Sequence, residues 1–227
     1  MKKLFLLTLA AMLTAGCSRG IIRPKVEKGI RNALPGYIGP AKEYSVRAMG
    51  PSIRMLRGRI NSLHIEGTDV LIAPNLTVCH LSVEMEEVQA DTSSRKLKSV
   101  RQTTFEAQVE EGAVNYYLNA SSPDGDDIGI ELEPGKLTVV ARPAFHGVGA
   151  EIRISGKPHI RNGTEVHFVA DSGSLARISV PAWIVNKLLE KVNPVLDLAE
   201  MQFPVSLTAV TIRKDRVVIT GRADFKP

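Results

Sequence analysis

The chain has 227 residues, with 29 basic and 24 acidic side chains and a formal charge of +5. The charge falls to +3 without Lys2 and Lys3, and the remaining basic residues are interspersed with acids. This distribution argues against a nucleic-acid partner, because a protein that binds the phosphate backbone needs a concentrated basic face. Aromatic residues make up only 5% of the chain, so Val, Ile and Leu must form most of the core of one large domain.

The amino terminus has the pattern of an export leader. Two lysines precede an apolar stretch at residues 4–12, which is too short to span about 30 Å of hydrocarbon and therefore predicts a signal peptide over residues 1–16. Small residues then precede Cys17, and the segment resembles the lipobox of bacterial lipoproteins, except that Thr14 stands where Leu is usual. The resemblance implies that Cys17 is acylated and that residues 17–20 form a lipidated tether. A plain secretory signal with an incidental cysteine is the alternative.

Cys79 has no partner within the chain if Cys17 is acylated, because these are the two cysteines. Cys79 alternates with Leu81, Val83 and Met85, so the four side chains are predicted to share one face of a strand. We interpret Cys79 as a small core residue and not as a reactive thiol, which would need an electropositive and accessible setting.

The first predicted element after the tether is a helix. From Ile22 onwards, apolar residues recur at intervals of three and four, and the helix is expected to end near Pro35 and Gly36. The apolar period then changes to two, with Gly67 among the expected breaks. The strands predicted here lie around residues 44–48, 63–65 and 79–85.

A second helix is predicted at residues 105–119, where Phe105, Val109 and Ala113 have helical spacing. This helix divides the strands into two sets. The second set alternates apolar with polar residues and carries hairpin turns at residues 133–136 and 161–164, which predicts an antiparallel meander. Its strands are expected around residues 128–132, 137–141, 148–154 and 166–170.

A third helix and a hairpin complete the predicted elements. The helix starts at Pro181 and stops at the break formed by Asn193 and Pro194. The hairpin strands, at residues 203–213 and 216–223, flank a two-residue turn. Helices with apolar stripes and about nine strands that are wet on one face predict an α+β fold, with a curved antiparallel sheet wrapped around a helix. An interior filled to normal density and an interior that leaves a lipid-lined groove both fit this pattern.

The order of these elements resembles a known family. The resemblance rests on residues 100–118 (VRQTTFEAQVEEGAVNYYL), on the third helix with its Asn-Pro end, on Phe203-Pro204-Val205 and on a terminal hairpin that ends in Thr220-Gly221. Over roughly residues 21–225 the chain looks like the LmeA-like phospholipid-binding family, formerly a domain of unknown function. That family is similar in fold to the tubular lipid-binding (TULIP) superfamily. The resemblance implies a half-barrel sheet around a long helix, with acyl chains in the groove between them.

The sequence contains none of the common motifs for catalysis or metal binding. The five histidines are dispersed, with no pair at metal-ligand spacing. Residues 124–127 resemble the start of a calcium loop, but Gly135 stands where a bidentate carboxylate is needed. A Gly-x-Ser-x-Gly elbow and a phosphate-binding loop are both missing from the sequence. We therefore predict no catalytic residue, no metal site and no cofactor, and an envelope hydrolase is the least favoured function.

Two basic clusters have two interpretations. The first contains Arg54, Arg57 and Arg59, and the second contains residues 95–98 together with Arg101. Each cluster can bind anionic lipid head groups, at about 1 kcal/mol per residue near a charged surface, or can belong to an ordinary solvated loop.

The resulting hypothesis is a non-enzymatic lipoprotein with one lipid-binding domain at residues 21–227. It would hold or transfer phospholipid or another acyl lipid in the bacterial cell envelope, anchored to a membrane with its domain facing the periplasm or the exterior. The alternative is a structural or adaptor lipoprotein with a fully packed core that binds another envelope protein. The residues predicted to contact lipid are Val26, Ile30, Leu34, Leu81, Val83, Met85, Val139, Ile152, Ile154 and Leu188.

Overall fold

The computed structural model describes residues 19–91, 97–120, 127–142, 151–171, 182–199 and 204–224. Within these ranges the chain has an α+β fold of four helices and two antiparallel sheets, one of them curled into a half-barrel. The helices are α1 (Arg19–Tyr37), α2 (Ser52–Leu56), α3 (Glu111–Ala120) and α4 (Ala182–Val192). The strands are β1 (Ala41–Met49), β2 (Arg59–Ala73), β3 (Leu76–Ala90), β4 (Leu97–Ser99), β5 (Gln102–Glu110), β6 (Asp127–Glu133), β7 (Lys136–Arg142), β8 (Ile152–Arg161), β9 (Glu165–Ala170), β10 (Leu196–Asp197), β11 (Val205–Arg213) and β12 (Arg216–Ala223).

The first sheet has the strand order β1-β2-β3-β5-β12-β11, and β4 pairs with β3. Its central hairpin, β2 and β3, has 15 residues in each strand. The second sheet has the order β10-β9-β8-β7-β6. Strands β6 to β9 form the antiparallel meander that the sequence predicted, and the short strand β10, which was not predicted, pairs with β9. The terminal hairpin returns to the first sheet, where β12 pairs with β5.

Turns of the second sheet hydrogen-bond to β11 of the first. The amide of Gly135 donates to the carbonyl of Ile212 at 3.0 Å, and the amide of Leu207 donates to the carbonyl of Gly163 at 2.7 Å. Both sheets contribute to one buried aliphatic cluster. The two sheets therefore share one hydrophobic core.

The predicted helix at residues 105–119 is only half right. Residues up to Glu110 lie in β5, which pairs with β3 on one side and β12 on the other, and α3 begins at Glu111. Thr103, Ala107 and Val109 are buried at even spacing, as in a strand. Two neighbouring strands satisfy the backbone polar groups of this segment, and this pairing overrides the helical spacing of Phe105 and Val109.

Gly67 is not the break that the sequence predicted, because it lies inside β2. A Cβ atom there would come within 2.9 Å of the ring of Tyr44, the cross-strand partner of Gly67. Gly221 on β12 is covered in the same way by its partner Phe105. These glycines leave room for aromatic rings that shield the backbone beside them.

The alternation of buried residues along the long hairpin is interrupted. The φ angles of Asp69 on β2 and Glu87 on β3 are 51° and 50°. A residue in this left-handed conformation shifts the alternation by one position, so the next side chain points to the core. Val70 is therefore buried three residues after Gly67, and Val88 three residues after Met85. The buried residues of β3 are Leu76, Val78, Leu81, Val83, Met85 and Val88.

Other predicted elements are confirmed. The first helix corresponds to α1, the third helix to α4 and the closing hairpin to β11 and β12, whose turn contains Asp215 at a φ of 58°. Of the predicted strand at residues 148–154, residues 148–150 lie outside the described chain, and Ile152 and Ile154 lie in β8. The leader, the tether with Cys17, Pro181 and Phe203 lie outside the described residues.

Candidate functional site

The ten residues predicted to contact lipid belong to one apolar cluster that spans both sheets, α1 and α4. Eight of them are buried, and Val26 and Ile30 are partly buried against the same cluster. Val139 and Ile154 are cross-strand partners on β7 and β8, and both are 0% exposed. The fold therefore brings these residues into one interior, and their contact with lipid stays a prediction.

The helix α1 lies along β1 with its apolar stripe turned towards the core. Ile22, Val26 and Ile30 are partly buried, whereas Leu34, one turn further on, is fully buried. The side chain of Glu27 accepts a hydrogen bond from the amide of Ala48 at 2.9 Å, which fixes the middle of α1 beside the end of β1. The amino-terminal part of the stripe is thus less completely covered than its carboxyl-terminal end.

One buried hydroxyl on the inner face of the first sheet has no hydrogen-bond partner within the described ranges. Thr103 is 3% exposed, and its Oγ1 makes no hydrogen bond among the described residues. It pairs across the strands with Met85, one of the predicted lipid contacts. An unpaired buried hydroxyl costs about 1–3 kcal/mol, so this position would gain from a ligand that offers an acceptor.

A cavity of about 560 Å³ lies where the β2–β3 hairpin meets α2 and the start of β5. Ile60 and Val88 are its apolar lining residues, and the other residues that line it are charged or polar. The ten residues predicted to contact lipid do not line this cavity. Its lining is Arg54, Arg59, Ile60, Asn61, Ser62, Glu86, Glu87, Val88, Gln89 and Arg101.

The charges around this cavity are unevenly paired. Arg101 forms an ion pair with Glu86, and its Nε lies 3.6 Å from a carboxylate oxygen of Glu87. Arg54 and Arg59 form no ion pair with an acid among the described residues. The paired acids leave these two guanidinium groups available to an anion.

The cavity brings Arg59 of the first basic cluster together with Arg101 of the second, although more than forty positions separate these two arginines in the sequence. Arg59 pairs in register with Gln89, and the amide of Arg101 donates to the carbonyl of Glu86 at 3.0 Å. Sequence patterns identified the arginines, but the pairing of β2 with β3 places them together. Lys98 of the second cluster forms an ion pair with Asp91, and residues 95–96 lie outside the described chain.

Cys79 is less buried than the sequence indicated. It is only partly buried, because the spacing between the buried residues Val78 and Leu81 is three and not two. Its thiol donates to the carbonyl of Gln108 at 3.0 Å, and burial raises the pKa of the thiol. The thiol is therefore held mainly in its unreactive protonated form.

Two histidines pair with acids on their own strands. His64 Nε2 lies 3.2 Å from Glu66 Oε1, and His167 Nε2 lies 2.6 Å from Glu165 Oε2. These hydrogen bonds lower the pKa of each glutamate. Across the described ranges, no group of three or more His, Cys, Asp or Glu side chains could hold a metal ion.

Among the helices of the described residues, none combines the length and the apolar character needed to cross a bilayer.

A protein-family model described as LmeA-like phospholipid-binding matches residues 15–222 of this chain. The match covers both sheets and all four helices described above. No curated protein and no solved structure matches the chain.

Proposed function

The chain belongs to the LmeA-like phospholipid-binding family, and we propose that it holds or transfers phospholipid in the bacterial cell envelope without catalysing a reaction. The family match over nearly the whole chain is the observation that carries this proposal. The driving force would be burial of the acyl chains, at about 0.8 kcal/mol for each methylene removed from water.

In this proposal the curled sheet wraps α1, and the acyl chains lie between them. The partly buried Val26 and Ile30 support this placement, because they face the core without being fully covered by it. Leu81, Val83 and Met85 supply the opposite wall from β3. An aliphatic lining of this kind binds chains through contact area and selects little for their chemical detail.

Thr103 would supply a polar contact in this groove. Its hydroxyl has no partner among the described residues, and a lipid ester carbonyl is a suitable acceptor. The head group would stay at the polar rim, where it keeps its hydration.

We further propose that the protein is a lipoprotein anchored through Cys17. The support is the leader pattern, in which small residues precede the cysteine after a short apolar stretch. Metabolic labelling with a fatty-acid probe should mark the wild-type chain and not the Cys17→Ser variant. Equal labelling of both chains would contradict acylation at Cys17.

The lipid proposal is tested by purifying the mature protein from bacteria, extracting it with organic solvent and identifying phospholipid by mass spectrometry. Val26→Trp should fill the space beside α1 and reduce the extracted lipid several-fold. Lys28→Trp, on the exposed side of the same helix, is the matched control and should retain it. Circular dichroism checks that both variants fold.

A wild-type protein that yields no phospholipid and takes up no fluorescent analogue would overturn the proposal. The alternative, an adaptor with a fully packed core that binds another envelope protein, would then be favoured.

A further inference from the structure

One corner of the molecule combines exposed apolar and basic side chains. It is formed by the end of β1, by α2 and by the start of β2. Met49, Ile53 and Leu56 are 50%, 65% and 58% exposed there. We call this surface, which consists of Met49, Ile53, Arg54, Leu56, Arg57 and Arg59, the α2 corner.

The fold itself imposes this apolar exposure. Met55 is 3% exposed and anchors α2 in the core, so Ile53 and Leu56 on the remaining helix surface face solvent. Large aliphatic side chains grouped on a surface are unfavourable in water and mark interaction sites. The α2 corner thus presents an apolar patch that the described part of the chain leaves exposed.

The charge around this patch is basic. Arg54, Arg57 and Arg59 are exposed and form no ion pair with an acid among the described residues. The acids of the adjoining cavity, Glu86 and Glu87, face Arg101. Apolar side chains flanked by arginines that no described acid neutralises are complementary to a bilayer that carries anionic lipids.

The helix α1 reaches the same end of the molecule. It runs alongside β1 in the opposite direction and contacts α2. Since Glu27 lies beside Ala48, the first described residue, Arg19, lies about 12 Å further along the helix axis, beyond the end of β1. The predicted acylation site, Cys17, precedes Arg19 by two residues in the sequence.

We propose that the α2 corner docks on an anionic phospholipid bilayer. Ile53 and Leu56 enter the interface, and a lipid phosphate lies between Arg54 and Arg59 at the mouth of the cavity. This contact differs from the binding of acyl chains in the interior, and it holds the protein in a fixed orientation on the membrane.

The test compares amide hydrogen exchange rates of the mature protein, as isolated from bacteria, on two kinds of vesicle. One kind contains phosphatidylcholine alone, and the other contains phosphatidylcholine with phosphatidylglycerol. We expect exchange in residues 49–59 to slow by about fivefold or more when phosphatidylglycerol is present, because docking excludes water from this segment. Salt at 1 M should remove the difference, since the Debye length then falls to about 3 Å.

The Arg54→Gln/Arg59→Gln variant should lose the slowing. The matched control is Arg213→Gln/Lys214→Gln, which removes two charges at the turn between β11 and β12, at the opposite end of β5. This control should keep the slowing.

Ile53→Ser/Leu56→Ser should also lose the slowing. Exchange in the β2–β3 hairpin, measured in detergent, verifies that each variant is folded.

The proposal is overturned if wild type shows no slowing of exchange. It is also overturned if Arg54→Gln/Arg59→Gln and the control Arg213→Gln/Lys214→Gln behave alike. It is also overturned if the serine variant keeps the slowing. Inorganic phosphate at matched ionic strength, added with neutral vesicles, forms a separate arm. If it reproduces the slowing, the cavity binds free phosphate and the bilayer is not the ligand.

Phospholipid extracted from the same preparations separates this proposal from the proposed function. If wild type yields no extracted lipid but its exchange slows on anionic vesicles, interior binding is contradicted and docking stands. If wild type yields lipid but its exchange does not slow, docking is contradicted and interior binding stands.

Discussion

The side-chain amide of Asn115 hydrogen-bonds to both backbone polar groups of Ile130. Asn115 Oδ1 accepts from the Ile130 amide at 2.6 Å, and Nδ2 donates to the Ile130 carbonyl at 3.0 Å. The carboxylate of Glu111 accepts from the Leu132 amide at 2.6 Å in the same way. Side chains of α3 thus take the place of a neighbouring strand at the β6 edge, which protects that edge from pairing with another chain.

The first prediction concerns the two hydrogen bonds between the Asn115 side chain and the Ile130 backbone. Asn115→Ala should lower the free energy of unfolding by about 1–3 kcal/mol, because two partly buried backbone groups lose their partners. Asn115→Asp keeps the acceptor and loses the donor, so it should lie between wild type and Asn115→Ala. Asn119→Ala, which removes only an exposed bond to the Asn115 carbonyl, is the control and should change stability little. Urea denaturation measures the free energy of unfolding of all three variants. Equal stabilities for Asn115→Ala and Asn119→Ala would contradict a stabilising role for the Asn115–Ile130 hydrogen bonds.

The second prediction concerns the unpaired hydroxyl of Thr103. Thr103→Val keeps the shape of the side chain and removes the buried polar atom, so the lipid-free protein should become more stable by about 1 kcal/mol. If the hydroxyl contacts lipid, the same variant should retain less phospholipid. Thr103→Ser, which keeps the hydroxyl, is the control for retention. A Thr103→Val protein less stable than wild type would show that the hydroxyl has a partner.

The third prediction tests the close contact between a strand glycine and an aromatic ring. In Gly221→Ala the new Cβ would lie 2.5 Å from Cζ of Phe105 and 2.7 Å from the Ser206 carbonyl oxygen. The overpacking should cost about 1–3 kcal/mol. Gly29→Ala on α1 meets nothing within 4 Å and should raise stability by up to about 1 kcal/mol through helix propensity. Thermal unfolding should therefore shift in opposite directions for the two variants.

The fourth prediction is a loss of stability at high pH. Burial raises the pKa of Tyr44 from 10.0 to about 12, and its hydroxyl donates to the Gly39 carbonyl at 2.8 Å. Between these two pKa values the unfolded chain releases the phenol proton while the folded chain keeps it, so stability is intact below pH 10.0 and falls as the pH approaches about 12. Tyr44→Phe removes this titration and should show a shallower decline. The measurement is the free energy of unfolding against pH for both proteins, and parallel curves would contradict the assignment.

Local patterns in the sequence determined several elements without further information. The stripe that begins at Ile22 predicted α1, and strict alternation between turn signals predicted the meander of the second sheet. These elements could be predicted because each one's apolar period is set by its own geometry, and because short turns join neighbours in the chain. The order of elements also sufficed to indicate the family.

Tertiary structure decided what covers each apolar face and which distant residues meet. Phe105 and Val109 have helical spacing, yet strand pairing on both sides places them in β5. Cys79 alternates with core residues, yet an interruption in the spacing of buried residues leaves it half-buried. The spacing of apolar residues in the sequence indicates which way a side chain points on its own element. The register between paired strands determines which residues lie beside it. For the same reason, only the folded chain brings Arg59 and Arg101 to one cavity.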